Sequence, residues 1–266
     1  IGSQFMHMVT VMLVSLSLGS VVMIGRYVGS HNEKQVNTVI GNSITLFSFL
    51  SLILLIALLC CRTMITTIMN TPIEAIQETK NYLTICFLGI PFIIAYNVVS
   101  SIFRGLGDSK TPMYFIFIAC LSNIVLDYVF VGFFHMHATG AALATIIAQA
   151  VSVVISLLAI KSKKLIHIHK TDLKIQQETL QNILKIGVPV SLQDGFIQVS
   201  FLIITIIANS RGVEVSAAVG IVEKIISFLF LVPSAMMSTV STIVSQAIGA
   251  NNKPLARKTL FICSSM

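Results

Sequence analysis

Charge is what this chain most lacks. Only 10% of its 266 residues are charged, against about 25% in a typical soluble domain. Hydrophobic residues make up 55%, and the mean hydropathy is +0.92. Several apolar runs of about 20 residues accompany that shortage, so a soluble core is excluded and a helical integral membrane protein is implied. No alternating strand pattern competes. The formal net charge is +7. The basic residues fall between apolar runs rather than along one face, so they are topology signals and not a nucleic-acid surface.

Other patterns are missing too. The five cysteines, Cys60, Cys61, Cys86, Cys120 and Cys263, form no C-x-x-C pair, which argues against a disulfide framework or a zinc site. His135 with His137, and His167 with His169, lack carboxylate or cysteine company and are read as loop residues rather than metal ligands. No nucleophile-and-base spacing appears, so neither an enzyme nor a bound cofactor is expected. The stretch RGLGDSK from Arg104 to Lys110 falls short of a phosphate-binding loop and follows no strand. It reads as a tight turn in which Asp108 caps the next helix or pairs with Arg104. With no signal peptide and no initial methionine, the chain reads as a fragment.

What is present is a series of apolar segments at about 3–28, 38–60, 81–102, 112–134, 139–160, 183–208 and 214–248, with another beginning near 256. The segment at 214–248 is too long for one straight crossing, and Pro233 is expected to kink it. Pro91 and Pro189 sit inside other spans. Alternate loops then share a membrane face. One face holds 13 of the 17 Lys and Arg residues, including Arg26, Lys110, Lys185 and Lys253, while Arg62, Lys80 and Arg211 lie opposite. That positive-inside excess makes the first face cytoplasmic. The polar region 161–182, ending in IQQETLQNILKIG, is a cytoplasmic linker with a short amphipathic helix leading into Pro189.

An internal repeat is visible. YVGSHNEKQV around Gly29 matches AIGANNKPLA around Gly249, an offset of 249 − 29 = 220. Gly29 pairs with Gly249 and Asn32 with Asn252. Six spans separate the two loops, so both belong on one face and the halves are parallel repeats flanking a central cleft.

The span from Pro112 to Phe134 carries Asn123 and Asp127 on one helical face. An aspartate at mid-membrane costs about 2.5–3.5 kcal/mol on insertion scales, and such residues mark ion or proton sites. Asp127 stands about 10 Å before the turn that opens at Phe134, and Thr145 stands at nearly the same depth beyond it. Gly140, Ala141, Ala142 and Ala144 let the two helices come close. A carboxylate, an amide and a hydroxyl are thereby expected in one pocket, suited to a sodium ion or a proton.

SIFRGLGDSKTPMYF, NIVLDYVF, ATGAALATIIAQ, ILKIGVPVSLQ and VSQAIGANNKP together resemble the multidrug and toxic compound extrusion (MATE) family. The resemblance runs over nearly the whole chain. It implies an all-α secondary transporter of two parallel six-helix lobes, with residues 1–160 in the first lobe and 183–266 opening the second. It also implies export of small organic compounds, often cationic, against inward sodium or proton flow, by a monomer in the plasma membrane. For the coupling site it implies Asp127, Asn123 and Thr145. Asp194, Gln193 and Glu223 are candidates for the cleft or the substrate, with Lys185 an alternative partner for Asp194. A related lipid-linked oligosaccharide flippase would need a more cationic cleft. A heptahelical receptor fits poorly with the repeat.

Overall fold

The computed structural model describes residues 2–68, 76–163 and 172–265. Every regular element among them is helical: α1 (Gly2–Gly29), α2 (Glu33–Ile68), α3 (Ile76–Leu88), α4 (Ile90–Gly105), α5 (Lys110–Asp127), α6 (His137–Lys163), α7 (Gln177–Ser210), α8 (Val213–Leu229), α9 (Leu231–Gly249) and α10 (Lys253–Ser265). Six stretches of the described residues are long and apolar enough to cross a membrane, and a seventh if α3 and α4 count as one bent span. The all-α membrane bundle read from composition is therefore the observed fold.

The breaks fall where backbone chemistry demands them. α3 and α4 meet at 43° around Gly89, two residues before Pro91, whose ring cannot sit against a straight preceding turn. Gly89 also lets α6 approach, since a Cβ there would press on the Ile146 side chain. The long seventh segment breaks at Phe230, three residues before Pro233; proline lacks the N–H that would bind the carbonyl of residue 229. Pro189, by contrast, lies inside an unbroken α7.

Two expectations change. The stretch IQQETLQNILKIG is not a separate amphipathic helix, because α7 runs continuously from Gln177 through Pro189 to Ser210. α6 continues to Lys163, past the expected boundary at 160. His167, His169 and the rest of 164–171 lie outside the described residues. The chain that re-enters after them is pinned to α2. There the Asn42 side chain accepts from Gln176 N (2.8 Å) and donates to Lys174 O (3.3 Å).

The repeat is reproduced atom by atom at its two loops. His31 and Asn251 both take φ 55°. Asn32 N donates to Tyr27 O (3.0 Å) and Asn252 N to Ala247 O (2.8 Å), which ties off each helix C-terminus. Asn32 then caps α2 by accepting from Gln35 N (3.2 Å), and Asn252 caps α10 by accepting from Leu255 N (3.1 Å).

The two loops also meet. A Cβ on Gly29 would collide with the Gln246 carbonyl oxygen, and one on Gly249 would collide with the Arg26 carbonyl oxygen. Since 246 − 26 = 249 − 29 = 220, the contact is reciprocal between repeat-related residues. Further along α1, Gly19 packs on Ile183 O and Gly187 on Leu16 O, so α1 and α7 also touch backbone to backbone. The apolar core fills the space between α1, α2, α3 and α4, with Ile24, Ile40, Phe87, Ile90 and Ile102 almost wholly buried.

Candidate functional site

α5 is capped at its start by Asp108, whose carboxylate accepts from Thr111 N (3.0 Å) and Thr111 Oγ1 (2.5 Å). From that anchor the helix delivers Asn123 and Asp127 into its last turns, both half-buried. Immediately after Asp127 the chain winds into a π-helical turn, Tyr128–Phe133. Phe134 N accordingly reaches back five residues to Val129 O (3.0 Å). Such widened turns are frequent at functional sites. Gly140 lets α6 start against this turn, where a Cβ would press on Phe130.

The polar atoms here are unusual in lacking partners. Asp127 Oδ1 and Asn123 Nδ2 are buried without a hydrogen bond, as is Gln149 Oε1 on α6. A buried polar group left unpaired costs about 1–3 kcal/mol, and native structures contain few of them. Three of them fall on the packed pair α5 and α6, two acceptors and one donor. Thr145 lies one turn before Gln149, and its hydroxyl donates to Ala141 O (2.9 Å). Its oxygen lone pairs stay free to accept.

Thr145 and Gln149 open onto a cavity of about 170 Å³, which His7 and Thr10 of α1 and Tyr82 and Cys86 of α3 close from the other side. Asn123 and Asp127 are not among its lining residues. The single pocket expected for Asp127, Asn123 and Thr145 is thus two features: unpartnered groups on α5, and a cavity that Thr145 and Gln149 of α6 line without them. Gln149 is itself unpartnered and lines that cavity.

The cleft candidates do not converge on this place. Asp194 on α7 accepts from Ser15 Oγ of α1 and does not pair with Lys185. Beside it Ser191 Oγ donates to Met12 O (2.9 Å). Gln193 is exposed. Glu223 on α8 accepts from Thr205 Oγ1 of α7 (2.7 Å), while Lys224 is exposed. Each acid thus joins a different pair of helices.

A family model described as MatE matches residues 1–129 and 189–266. The chain belongs to the MatE family. Among curated MatE relatives, "Probable multidrug resistance protein YoeA" of Bacillus subtilis (strain 168) is 30% identical over 247 residues, covering 90% of this chain and 53% of its own. "Probable multidrug resistance protein YpnP" of the same strain is 34% identical over 186 residues, covering 70% and 42%. The chain spans about half the length of these relatives. The solved outward-facing conformation of a multidrug resistance MATE family transporter superposes with a TM-score of 0.85 at 22% identity, over 97% of this chain and 58% of that one. A MOP superfamily transporter from Pyrococcus furiosus gives the same score, identity and coverage. These structures establish a shared MatE fold.

Within that fold, sequence reasoning passed over Gln149, His7, Thr10 and Tyr82. The signal for Gln149 was available, since it follows Thr145 by four residues and shares its face of α6. His7, Thr10 and Tyr82 are distant in sequence, and only the packing of α1 and α3 against α6 brings them to the cavity.

Proposed function

We propose that this chain forms the first lobe and the beginning of the second in a cation-coupled exporter of small organic compounds, seated in the plasma membrane with residues 161–182 on the cytoplasmic side. Membership of the MatE family supports the transporter class, and its curated relatives are named for multidrug resistance. One observation carries the coupling assignment: an intramembrane carboxylate, Asp127, with a buried unpartnered oxygen, one turn beyond Asn123 on the same face of α5. Charge or dipole left unsatisfied in a membrane interior is retained where a ligand completes it. A sodium ion would be met by carboxylate, amide and hydroxyl oxygens, and a proton would be taken by the carboxylate itself.

In this cycle the bound ion and the organic substrate favour different states of the two repeats, so that inward ion flow drives outward export. The repeat-related ends of α1 and α9 touch on the basic side, which corresponds to a state closed toward the cytoplasm. The flippase alternative calls for a more cationic cleft, whereas the spans here carry the acids Asp127, Asp194 and Glu223.

The test uses the complete gene in cells lacking their own exporters. Asp127→Asn abolishes resistance to ethidium or a fluoroquinolone while membrane expression stays normal; undiminished resistance overturns the assignment. Efflux with and without sodium at fixed pH then distinguishes the two ions.

A further inference from the structure

A second polar cavity lies far from Asp127, at the opposite end of α1. Its volume is about 330 Å³, and it opens between the last turns of α1 and the first turns of α7. Arg26 and Tyr27 line it from α1; Glu178, Asn182 and Lys185 line it from α7. The α7 residues recur at intervals of four and three, so they share one helical face. Arg26 and Lys185 are exposed and form the rim, while Tyr27 and Asn182 are half-buried between them. Among the described residues neither cation has an ion-pair partner. They come from the two different repeats, and they sit on the face that carries the excess of basic residues.

Basic pockets between spans on the cytoplasmic side are where phospholipid headgroups dock. Here the charge pattern is more specific than a basic patch. Two cations suit one phosphodiester, and the single carboxylate, Glu178, repels a second anion but accepts hydrogen bonds from an ammonium. The Tyr27 hydroxyl and the Asn182 amide supply neutral hydrogen-bonding groups between the charges. We infer that this cavity is a site for a phosphoethanolamine headgroup, with its phosphate on Arg26 and Lys185 and its ammonium on Glu178. A headgroup held there bridges α1 and α7 across the seam where Gly19 and Gly187 already bring the two backbones together, and so favours the state closed on the basic side. The inference uses the orientation of the spans and is independent of any role for Asp127.

The experiment uses the purified product of the complete gene in nanodiscs of defined composition, with bound lipid counted by native mass spectrometry. Phosphatidylethanolamine is retained over phosphatidylcholine, whose quaternary ammonium has no N–H to donate. The Arg26→Gln, Lys185→Gln double variant loses retention by about tenfold or more, since each cation near the surface contributes roughly fivefold. Glu178→Gln narrows the preference for ethanolamine over glycerol headgroups. Lys253→Gln with Lys258→Gln removes the same charge from exposed positions on the same face and leaves retention unchanged. If the double variant does not yield folded protein, Lys185→Gln alone gives the smaller, roughly fivefold loss. Displacement of the lipid by millimolar free phosphoethanolamine supports the pocket and assigns it a soluble ligand; persistence of the lipid assigns the membrane source. Equal retention in wild type and the Arg26, Lys185 variant, or an equal loss in the Lys253, Lys258 control, overturns the site.

Discussion

The seam between α1 and its partners α7 and α9 is built differently from the contact between α5 and α6. Along the seam, backbones touch at glycines, and the hydrogen-bonding side chains that cross it are paired: Ser15 with Asp194 and Ser191 with Met12 O. On α5 and α6, Asn123, Asp127 and Gln149 each hold a buried atom with no partner. In a membrane, polar side chains either fasten helices or wait for a ligand. The first region fastens; under the proposed function the second is completed by a ligand. An acid on a span is therefore not by itself evidence of transport chemistry, since Asp194 and Asp127 differ chiefly in whether a partner is already present.

The largest expected effect breaks the seam. Gly29→Leu places a branched side chain against a backbone carbonyl that cannot rotate away. Overpacking costs about 1–3 kcal/mol where neighbours can adjust, and here they cannot, so folded yield on size-exclusion chromatography falls sharply. Gly29→Ala and Gly249→Ala, being reciprocal, should lower the melting temperature by similar amounts. Their double variant should cost less than the sum, because both act on one contact. Strict additivity would show that the two repeat ends do not share an interface.

Next comes the contrast between the two acids. Asp127→Asn should leave thermal stability unchanged or raised, because it removes a buried charge that no partner offsets. Asp194→Asn should lower stability by about 1–2 kcal/mol, since a hydrogen bond to a charged acceptor is weakened, while efflux persists. Melting curves and resistance measured on the same two variants decide this. If Asp194→Asn abolishes efflux without loss of stability, the seam is also a transport element and the comparison fails.

How much of this was legible in the sequence differs by level. The spans were, because about 20 apolar residues in a row leave few alternatives, and Pro233 marked where one of them bends; Pro91 and Pro189 read alike, yet only the first sits at a break. The repeat was too, down to the pairing of Asn32 with Asn252, whose shared role as helix caps only the structure supplies. The π-helical turn was not: YVFVGF is equally apolar whether its hydrogen bonds reach back four residues or five. Ser15 as the partner of Asp194 was also hidden, because 179 residues separate them and no periodicity links α1 to α7. For the candidate site, the shared face of Asn123 and Asp127 was readable. The split between their unpartnered atoms and the cavity behind Thr145 depends on side-chain directions, which spacing alone does not supply.

Gln149→Leu sharpens the comparison at intermediate size. The change removes a buried acceptor that has no donor, so stability should hold or improve slightly. If Gln149 contributes one hydrogen bond of about 1 kcal/mol to the occupied site, efflux should fall roughly fivefold. A stability loss of several kcal/mol would instead mark Gln149 as a fastening residue.

The smallest effect belongs to Gln246, and it tests where the two repeats part company. Its repeat partner is Arg26, so the two touching helix ends carry the same backbone contact but different side chains. Gln246 Nε2 donates to Gly105 O (3.1 Å) and covers Gly107, tying α9 to the turn before α5. Arg26 instead faces the cavity shared with Lys185. Gln246→Ala should therefore cost about 1 kcal/mol, the net worth of one neutral hydrogen bond, and should leave lipid retention unaltered. Arg26→Gln should alter lipid retention and leave the α9 contact intact, because that contact is made by the backbone at residue 26. If the two substitutions had the same consequences, the side chains would be interchangeable and the seam symmetric throughout. Distinct consequences would mean that the repeat conserves the geometry of closure while each copy uses its side chain for a separate task.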